Sequence, residues 1–278
     1  MEYVWKQKPK IAQAAIDKLS KDINVNATLA NMLINRGVEN FDQAKDYFRP
    51  SLNLLHDPFL MKDMEEAVRR IEKAVKNEEH ILVYGDYDVD GTTAVALMYE
   101  FLKGFYPHVD FYIPDRYKEG YGISERGVRH AAESGFSLVI ALDCGIKSMD
   151  KVELASALGV DFIICDHHTP GDELPKAVAV LDPKRQDCNY PYKELSGCGV
   201  GFKLIQAYSK AQQLEEASLY TFLDLVVVSI AADIVPITGE NRILAYYGLD
   251  RLNNTPRPGL KALMLLSKIE KEMQISEI

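Results

Sequence analysis

No stretch of the chain carries the run of about 18 apolar residues that a membrane-spanning helix needs. The opening residues, Met1-Glu-Tyr-Val-Trp-Lys6, lack the apolar core of a secretory signal. Both shortages point to the cytoplasm. Cysteine is scarce too: positions 144, 165, 188 and 198 hold all of it, at no metal-binding spacing. Two of the four fall in or just after predicted buried strands, so reduced thiols are expected. Positive charge is the third shortage. With 32 basic against 41 acidic residues the net charge is −9, which excludes a protein that coats nucleic acid through bulk positive charge. A nuclease that gathers its acids in one place remains open. No internal repeat or low-complexity tract is visible. What is present is globular material, 278 residues at 47% hydrophobic and 26% charged, enough for a sizeable core.

Residues 1–60 read as a small helical segment, helix-like at 10–20, 26–36 and 40–48, with Asn26 as a cap and Arg36-Gly37 as a stop. Pro50 and Pro58 break the chain. A longer helix over 61–77 carries Met64, Ala67, Val68, Ile71 and Val75 at helical spacing. From 80 to 182 strand and helix alternate. Strands are predicted at 80–85, 109–113, 138–142, 161–165 and 177–181, and helices at 92–103, 124–134 and 148–158. Thr92 or Thr93, Ser124 and Ser148 are expected to open these helices, and Gly104, Gly135 and Gly159 to close them. Near-continuous apolar strands joined by helices imply an α/β fold, a mostly parallel sheet with helices on both faces. After 183 the chain turns loop-like and then helical, and 219–232 reads as one buried helix ending at Asp233. The expected domains are therefore a helical segment (1–60), an α/β catalytic domain (61–255) and the start of a linker helix toward a second domain (256–278).

The chemistry gathers at strand ends. Residues 81–91, Ile-Leu-Val-Tyr-Gly-Asp-Tyr-Asp-Val-Asp-Gly, run an apolar strand into Asp86, Asp88 and Asp90. If extended geometry continued past Gly85, side chains two apart would bring all three acids to one patch. Two such charges about 4 Å apart repel by roughly 4 kcal/mol at an effective dielectric of 20, so a cation is called for. The strand 138–142 ends in Asp143, the strand 161–165 in Asp166-His167-His168, and a later apolar run in Asp233. In open parallel sheets ligands bind beyond the carboxyl ends of the strands. Carboxylates with one or two imidazoles suit a hard-to-borderline divalent ion, manganese ahead of magnesium. A thiolate-free set argues against structural zinc. Five or more ligands exceed what one open ion needs, and two ions about 3.5–4 Å apart would use them for phosphoryl displacement.

The segments Gly85-Asp-Tyr-Asp-Val-Asp-Gly91, Leu142-Asp-Cys-Gly-Ile146, Asp166-His-His168 and Ala232-Asp-Ile-Val-Pro236 resemble the four motifs of the DHH phosphoesterases. Trp5, Asn35-Arg-Gly37, Leu55-His-Asp-Pro-Phe59, Ile113-Pro-Asp-Arg-Tyr-Lys-Glu-Gly-Tyr-Gly122, Gly197-Cys-Gly-Val-Gly-Phe-Lys-Leu204 and Gly239-Glu-Asn-Arg242 are similar to the RecJ branch of single-stranded-DNA exonucleases. The resemblance implies a metal-dependent 5′→3′ exonuclease acting in DNA repair and recombination, with a helicase and a single-strand-binding protein as partners. It implies that Asp88 holds one Mn2+, that Asp90, His167 and Asp233 hold the other, and that Asp143 bridges them. Catalytic parts fall to His168, facing the phosphate, to Asp166, orienting an imidazole, and to Asp86, as ligand or supporting acid. Arg116 would grip the 5′ phosphate. The branch continues into a DHHA1-type domain and an oligonucleotide-binding barrel. Neither is recognisable in this sequence, which resembles the N-terminal catalytic part.

Two rivals stand beside that expectation. One is a hydrolase of small phosphates such as pyrophosphate, short oligonucleotides or cyclic dinucleotides. Tyr84 stands where the pyrophosphatase branch carries histidine, which weakens it. The other is a non-catalytic scaffold, although no ligand is missing. Several features read as structural. His56, His80, His108 and His130 look isolated, Cys144 and Cys165 look like small core residues, and Gly197, Gly199 and Gly201 look like a tight-packing turn. The runs Met64-Glu-Glu66 and Lys268-Ile-Glu-Lys-Glu272 read as solvated helix faces. Near the acids the only basic residues foreseen are Arg116, Lys118, Lys184 and Arg185, and no base-stacking surface is foreseen. Weak, distributive binding of single strands is expected of this segment alone.

Overall fold

The computed structural model describes residue 4, residues 9–269 and residues 272–278. Trp5, with Glu270 and Lys271 of the C-terminal charge run, lies outside the described residues. The chain divides into two compact units, Met1–Leu54 and Leu55–Ile278. The division falls at Leu54 rather than at residue 60, and residues 256–278 belong to the second unit.

In the first unit, α1 (Gln13–Ile23), α2 (Ala27–Ile34) and α3 (Phe41–Phe48) enclose a small core of Ile16, Leu19, Ala30, Leu33, Val38 and Ala44. Asn26 caps α2 by accepting from Leu29 N at 2.9 Å, and Asn40 caps α3 by accepting from Gln43 N at 2.9 Å.

The second unit opens with α4 (Met64–Lys76) and continues as alternating strand and helix: β1 (His80–Gly85), α5 (Val89–Lys103), β2 (Val109–Tyr112), α6 (Glu125–Glu133), β3 (Phe136–Leu142), α7 (Met149–Ala157), β4 (Asp161–Cys165) and β5 (Ala179–Leu181). Among the described residues the five strands form one parallel sheet in the order β2-β1-β3-β4-β5. Alternation decides the faces. Leu82, Tyr84, Val139, Ala141, Phe162, Ile164 and Val180 meet Val128, Ala131, Val152 and Ala155 of α6 and α7. Their strand neighbours Ile81, Val83, Ile140 and Leu142 are buried on the other face, where α5 and α8 (Gly197–Ala211) pack. The chain lays β2 on one side of β1 and β3 on the other, so the carboxyl ends of β1 and β3 flank the switch point where such sheets bind ligands.

Helix boundaries bring corrections. Thr92 and Thr93 do not open α5; Asp88 is its cap, accepting from Gly91 N at 2.9 Å. Ser124 caps α6 as expected, but the Ser148 side chain makes no capping bond. The run 219–232 is two pieces, a 3₁₀ segment Glu216–Phe222 and α9 (Leu223–Ala232). Gly197, Gly199 and Gly201 lie in the first turns of α8 rather than in a turn. Lys268 sits past the end of α11 (Pro258–Leu266) rather than on a helix face. Met64 is buried while Glu65 and Glu66 are solvated. His80 and His108 are not isolated, their ring centroids lying 5.0 Å apart.

A buried ion pair ties α8 to α10 (Gly239–Asn254). Lys203, fully buried, donates to Glu240 Oε1 at 3.2 Å and to the His56 carbonyl at 2.8 Å. Glu240 also accepts from Tyr190 Oη at 2.6 Å and from His56 N at 2.9 Å. Truncating one partner strands the other charge, so Lys203→Ala is expected to destabilise the fold by about 3 kcal/mol, the low end for a broken buried pair because Glu240 keeps two donors. Urea denaturation would check this; a loss under about 1 kcal/mol would contradict it.

Candidate metal centre

Strand register puts the acids in a row. Gly85 pairs with Leu142, Leu142 with Cys165, and Cys165 with Leu181. The next residue on each strand is an aspartate: Asp86, Asp143, Asp166 and Asp182. All four are at most 1% exposed. Asp182 was not foreseen because Asp182-Pro183 reads as the start of a loop.

The extended geometry expected past Gly85 does not continue. The chain turns at Asp86, and α5 begins at Val89, so the three acids of the motif take different tasks. Both oxygens of Asp86 are held by backbone, accepting from Tyr87 N at 2.6 Å and Gly122 N at 2.7 Å. Asp88 caps α5 with one oxygen. Asp90, in the first turn of α5, points at the N-terminus of α8. It accepts from Gly197 N and Cys198 N at 2.7 Å each, and from Ser229 Oγ of α9 at 2.7 Å. Free N–H groups and the positive end of a helix suit a carboxylate. Ser196, which caps α8, and Ser229 are site residues that the sequence reading missed. The signal was Ser196 ahead of Gly197-Cys198-Gly199, a helix cap.

Asp143 takes a left-handed backbone (φ +58) and donates its N–H to the Cys165 carbonyl at 2.8 Å. Its Oδ1 is buried without a hydrogen-bond partner. Burial, then the charges of Asp90, Asp88 and Asp166, push its carboxyl up to about 11. Asp166 accepts from Ile146 N, His167 N, His168 N and His168 Nδ1, the last at 2.7 Å. Burial alone would raise Asp166, yet these bonds and the His168 charge leave it lowered. The Asp166 bond in turn raises His168, whose Nε2 lies 3.3 Å from Tyr121 Oη.

His167 is the buried centre. Neither ring nitrogen has a hydrogen bond. Its Nε2 lies 3.2 Å from Asp143 Oδ1, 3.6 Å from Asp90 Oδ2 and 3.6 Å from Asp233 Oδ2. An orphaned imidazole facing three carboxylates has the donor set of a divalent cation site. Among the described residues two ligand groups form, Asp90-His167-Asp233 and Asp143-His167-His168, each with ligand atoms within 4.8 Å of one another. The structure thus brings together Asp90, Asp143, His167, His168 and Asp233. Asp88 belongs to neither group, although its charge reaches Asp143.

Arg116 is exposed on the loop 113–122, its guanidinium 5.3 Å from the Tyr87 ring centroid. Arg185 is not an available cation: it is 7% exposed and bonded to Asp63, Asp187 and the Val180 carbonyl. Aromatic rings stand beside the site: Tyr121 touches both Tyr87 and His168, and Tyr117 on the same loop is 94% exposed.

A parallel sheet that gathers acids and imidazoles at its switch point places the chain among α/β proteins with a divalent-cation site there. The chain belongs to the DHH family: residues 80–230 match its N-terminal domain. It is 42% identical over 255 residues to the single-stranded-DNA-specific exonuclease RecJ of Bacillus subtilis (strain 168), covering 92% of this chain and 32% of that protein. The crystal structure of exonuclease RecJ bound to manganese superposes with a TM-score of 0.72 at 31% identity, over 81% of this chain and 56% of that one. RecJ from Thermus thermophilus in complex with Mn2+ superposes at 0.78 and 27% identity, over 96% of this chain and 38% of that one. The chain spans about a third of the length of the Bacillus relative.

Proposed function

We propose that this chain is the catalytic part of a divalent-metal-dependent exonuclease that hydrolyses single-stranded DNA from its 5′ end, in repair and recombination. The observation that carries the reading is His167 Nε2, without a hydrogen bond and facing Asp90, Asp143 and Asp233. Its support from kinship is the single-stranded-DNA exonuclease activity of the RecJ relatives. Asp90, Asp143, His167 and Asp233 would hold the metal, and Asp88, whose charge acts on Asp143, would add a further carboxylate. A bound divalent ion supplies a polarised phosphoryl oxygen and an acidified water. Mn2+ is favoured over Mg2+ because imidazole shares the site with carboxylate.

The chain's own residues do the rest. Asp166 fixes the His168 ring through Nδ1, leaving Nε2 to meet a phosphate oxygen once Tyr121 yields. Arg116 offers a planar fork to a terminal phosphate. The reading calls for a cytoplasmic setting, with a helicase and a single-strand-binding protein as partners. Tyr84 gives no support to a small-phosphate hydrolase, because its hydroxyl is turned to Gly122 and Ser124.

End-labelled single strands incubated with Mn2+, Mg2+ or excess chelator test the reading. Release of short products from the 5′ end with metal, and none with chelator, is expected. Turnover in chelator would overturn it. Arg116→Ala is expected to slow 5′-phosphorylated strands by about tenfold more than 5′-hydroxyl strands, a charge-assisted bond being worth about 1.5–3 kcal/mol. Equal slowing of both would place the residue's role elsewhere.

A further inference from the structure

The loop 113–122 is bolted at its exit to the end of β1, the strand that leads into the acids. Tyr84 Oη donates to the Gly122 carbonyl at 3.0 Å and accepts from Ser124 N at 3.0 Å. Gly122 N donates to Asp86 Oδ2 at 2.7 Å. Both polar backbone groups of Gly122 therefore end on β1 or the residue that follows it. The Tyr84 ring is 1% exposed and stacks on Tyr112 with centroids 5.4 Å apart. Helix α6 makes room for it: a Cβ on Gly127 would lie 2.6 Å from Tyr84 Cε2.

The middle of the loop is held by Glu119. Its Oε2 accepts from Tyr112 Oη at 2.7 Å and Ser124 Oγ at 2.6 Å, and its Oε1 from Asp115 N at 3.0 Å. Asp115 answers by accepting from Tyr117 N and Lys118 N at 2.9 and 3.0 Å. Arg116 sits on this closed turn, with its guanidinium on Tyr87, itself part of the β1 turn.

We infer that Tyr84 and Glu119 are positioning residues that lock the loop 113–122 to β1, and so fix where Arg116 receives a strand's 5′ phosphate relative to the acids. The inference rests on the reading of Arg116 proposed above. Neither residue touches the metal ligands, and Tyr84 acts only through backbone groups of the loop. Removing its hydroxyl leaves Gly122 O and Ser124 N without a partner, which should raise the open population of the loop by about tenfold.

The test uses the whole chain and two variants, Tyr84→Phe and Glu119→Ala, the second lying off the sheet in case the first folds poorly. Trypsin reads the lock without any reaction, because Arg116 and Lys118 are exposed cleavage sites on the loop. Cleavage after these two residues, followed by mass spectrometry, should quicken by about tenfold, while other sites keep their rates. In parallel, the preference for 5′-phosphorylated over 5′-hydroxyl strands should fall toward that of Arg116→Ala. Adding Tyr84→Phe to Arg116→Ala should not lower the preference further. Unchanged cleavage at the loop overturns the lock, and faster cleavage with the preference intact overturns the positioning role. A wild-type chain without any preference, together with faster loop cleavage in the variants, would overturn the assignment of Arg116 and leave only the tether.

Discussion

Asp143→Asn and His167→Ala are each expected to abolish hydrolysis, by about 10³-fold or more, while leaving the chain folded. The several kcal/mol that a bound metal contributes to the transition state correspond to that factor at 1.36 kcal/mol per tenfold. Metal affinity should fall with activity, since Asp143 Oδ1 and His167 Nε2 face each other at 3.2 Å and neither makes a hydrogen bond. Calorimetric titration with Mn2+ reads the first loss and single-turnover cleavage the second. Stability should move the opposite way. In the metal-free chain, burial raises Asp143 from 3.8 to about 11 and raises Asp90 as well. The folded state then binds more protons than the unfolded one, so stability is full below 3.8 and declines as pH rises toward about 11. Asparagine has no proton to take up on folding and escapes that cost. Metal-free Asp143→Asn should therefore melt above metal-free wild type at pH 8, by about 2–4 °C for each kcal/mol of that cost removed. An inactive variant that melts lower would point to misfolding rather than ligand loss.

Much of this centre could be read from the chain because Asp86, Asp143 and Asp166 directly follow apolar strands, and strand ends in a parallel sheet share one edge. Register alone aligns these three, and His167 comes one residue after Asp166. Asp233 was legible only as the acid ending an apolar run, which is a helix. Asp182 obeys the strand-end rule too, directly after the strand predicted at 177–181, yet the proline that follows makes Asp182-Pro183 read as the start of a loop. Inside the first motif the rule failed, since alternation describes side chains only while backbone stays extended. Asp88 caps α5, and that single turn sends Asp86 to the loop and Asp90 to α8. Long-range partners were silent for another reason. Ser229 and Asp90 are 139 residues apart, and nothing local in either stretch announces their hydrogen bond. Charge counting misled at Arg185, which neighbours Lys184 in sequence but is spent on Asp63 and Asp187.

Gly197→Ala is the second change expected to have a large effect, and it alters no ligand. A Cβ at that position would lie 2.6 Å from both Cβ and Oδ1 of Asp143 and 2.8 Å from its Cγ. The obstructed side chain cannot swing clear, because the Asp143 backbone is pinned at φ +58 by its bond to the Cys165 carbonyl. Nor can α8 retreat freely. Its first two N–H groups hold Asp90, and a Cβ on Gly201 would already stand 3.2 Å from Leu142. Either the acid that faces His167 moves, or the helix end that steadies Asp90 does. Disturbing such outer partners commonly costs 10–100-fold in metal affinity, and about 10-fold or more is expected here. The overpacking itself should cost about 1–3 kcal/mol. Gly259→Ala is the matched control, a helical glycine with nothing within 4 Å of an added Cβ. That change should be neutral or slightly stabilising, by up to about 1 kcal/mol. Manganese titrations and urea denaturation on both variants decide the matter. Gly197→Ala binding Mn2+ as the wild type does would mean that α8 and Asp143 can separate without cost, and that the helix does not hold the centre in place.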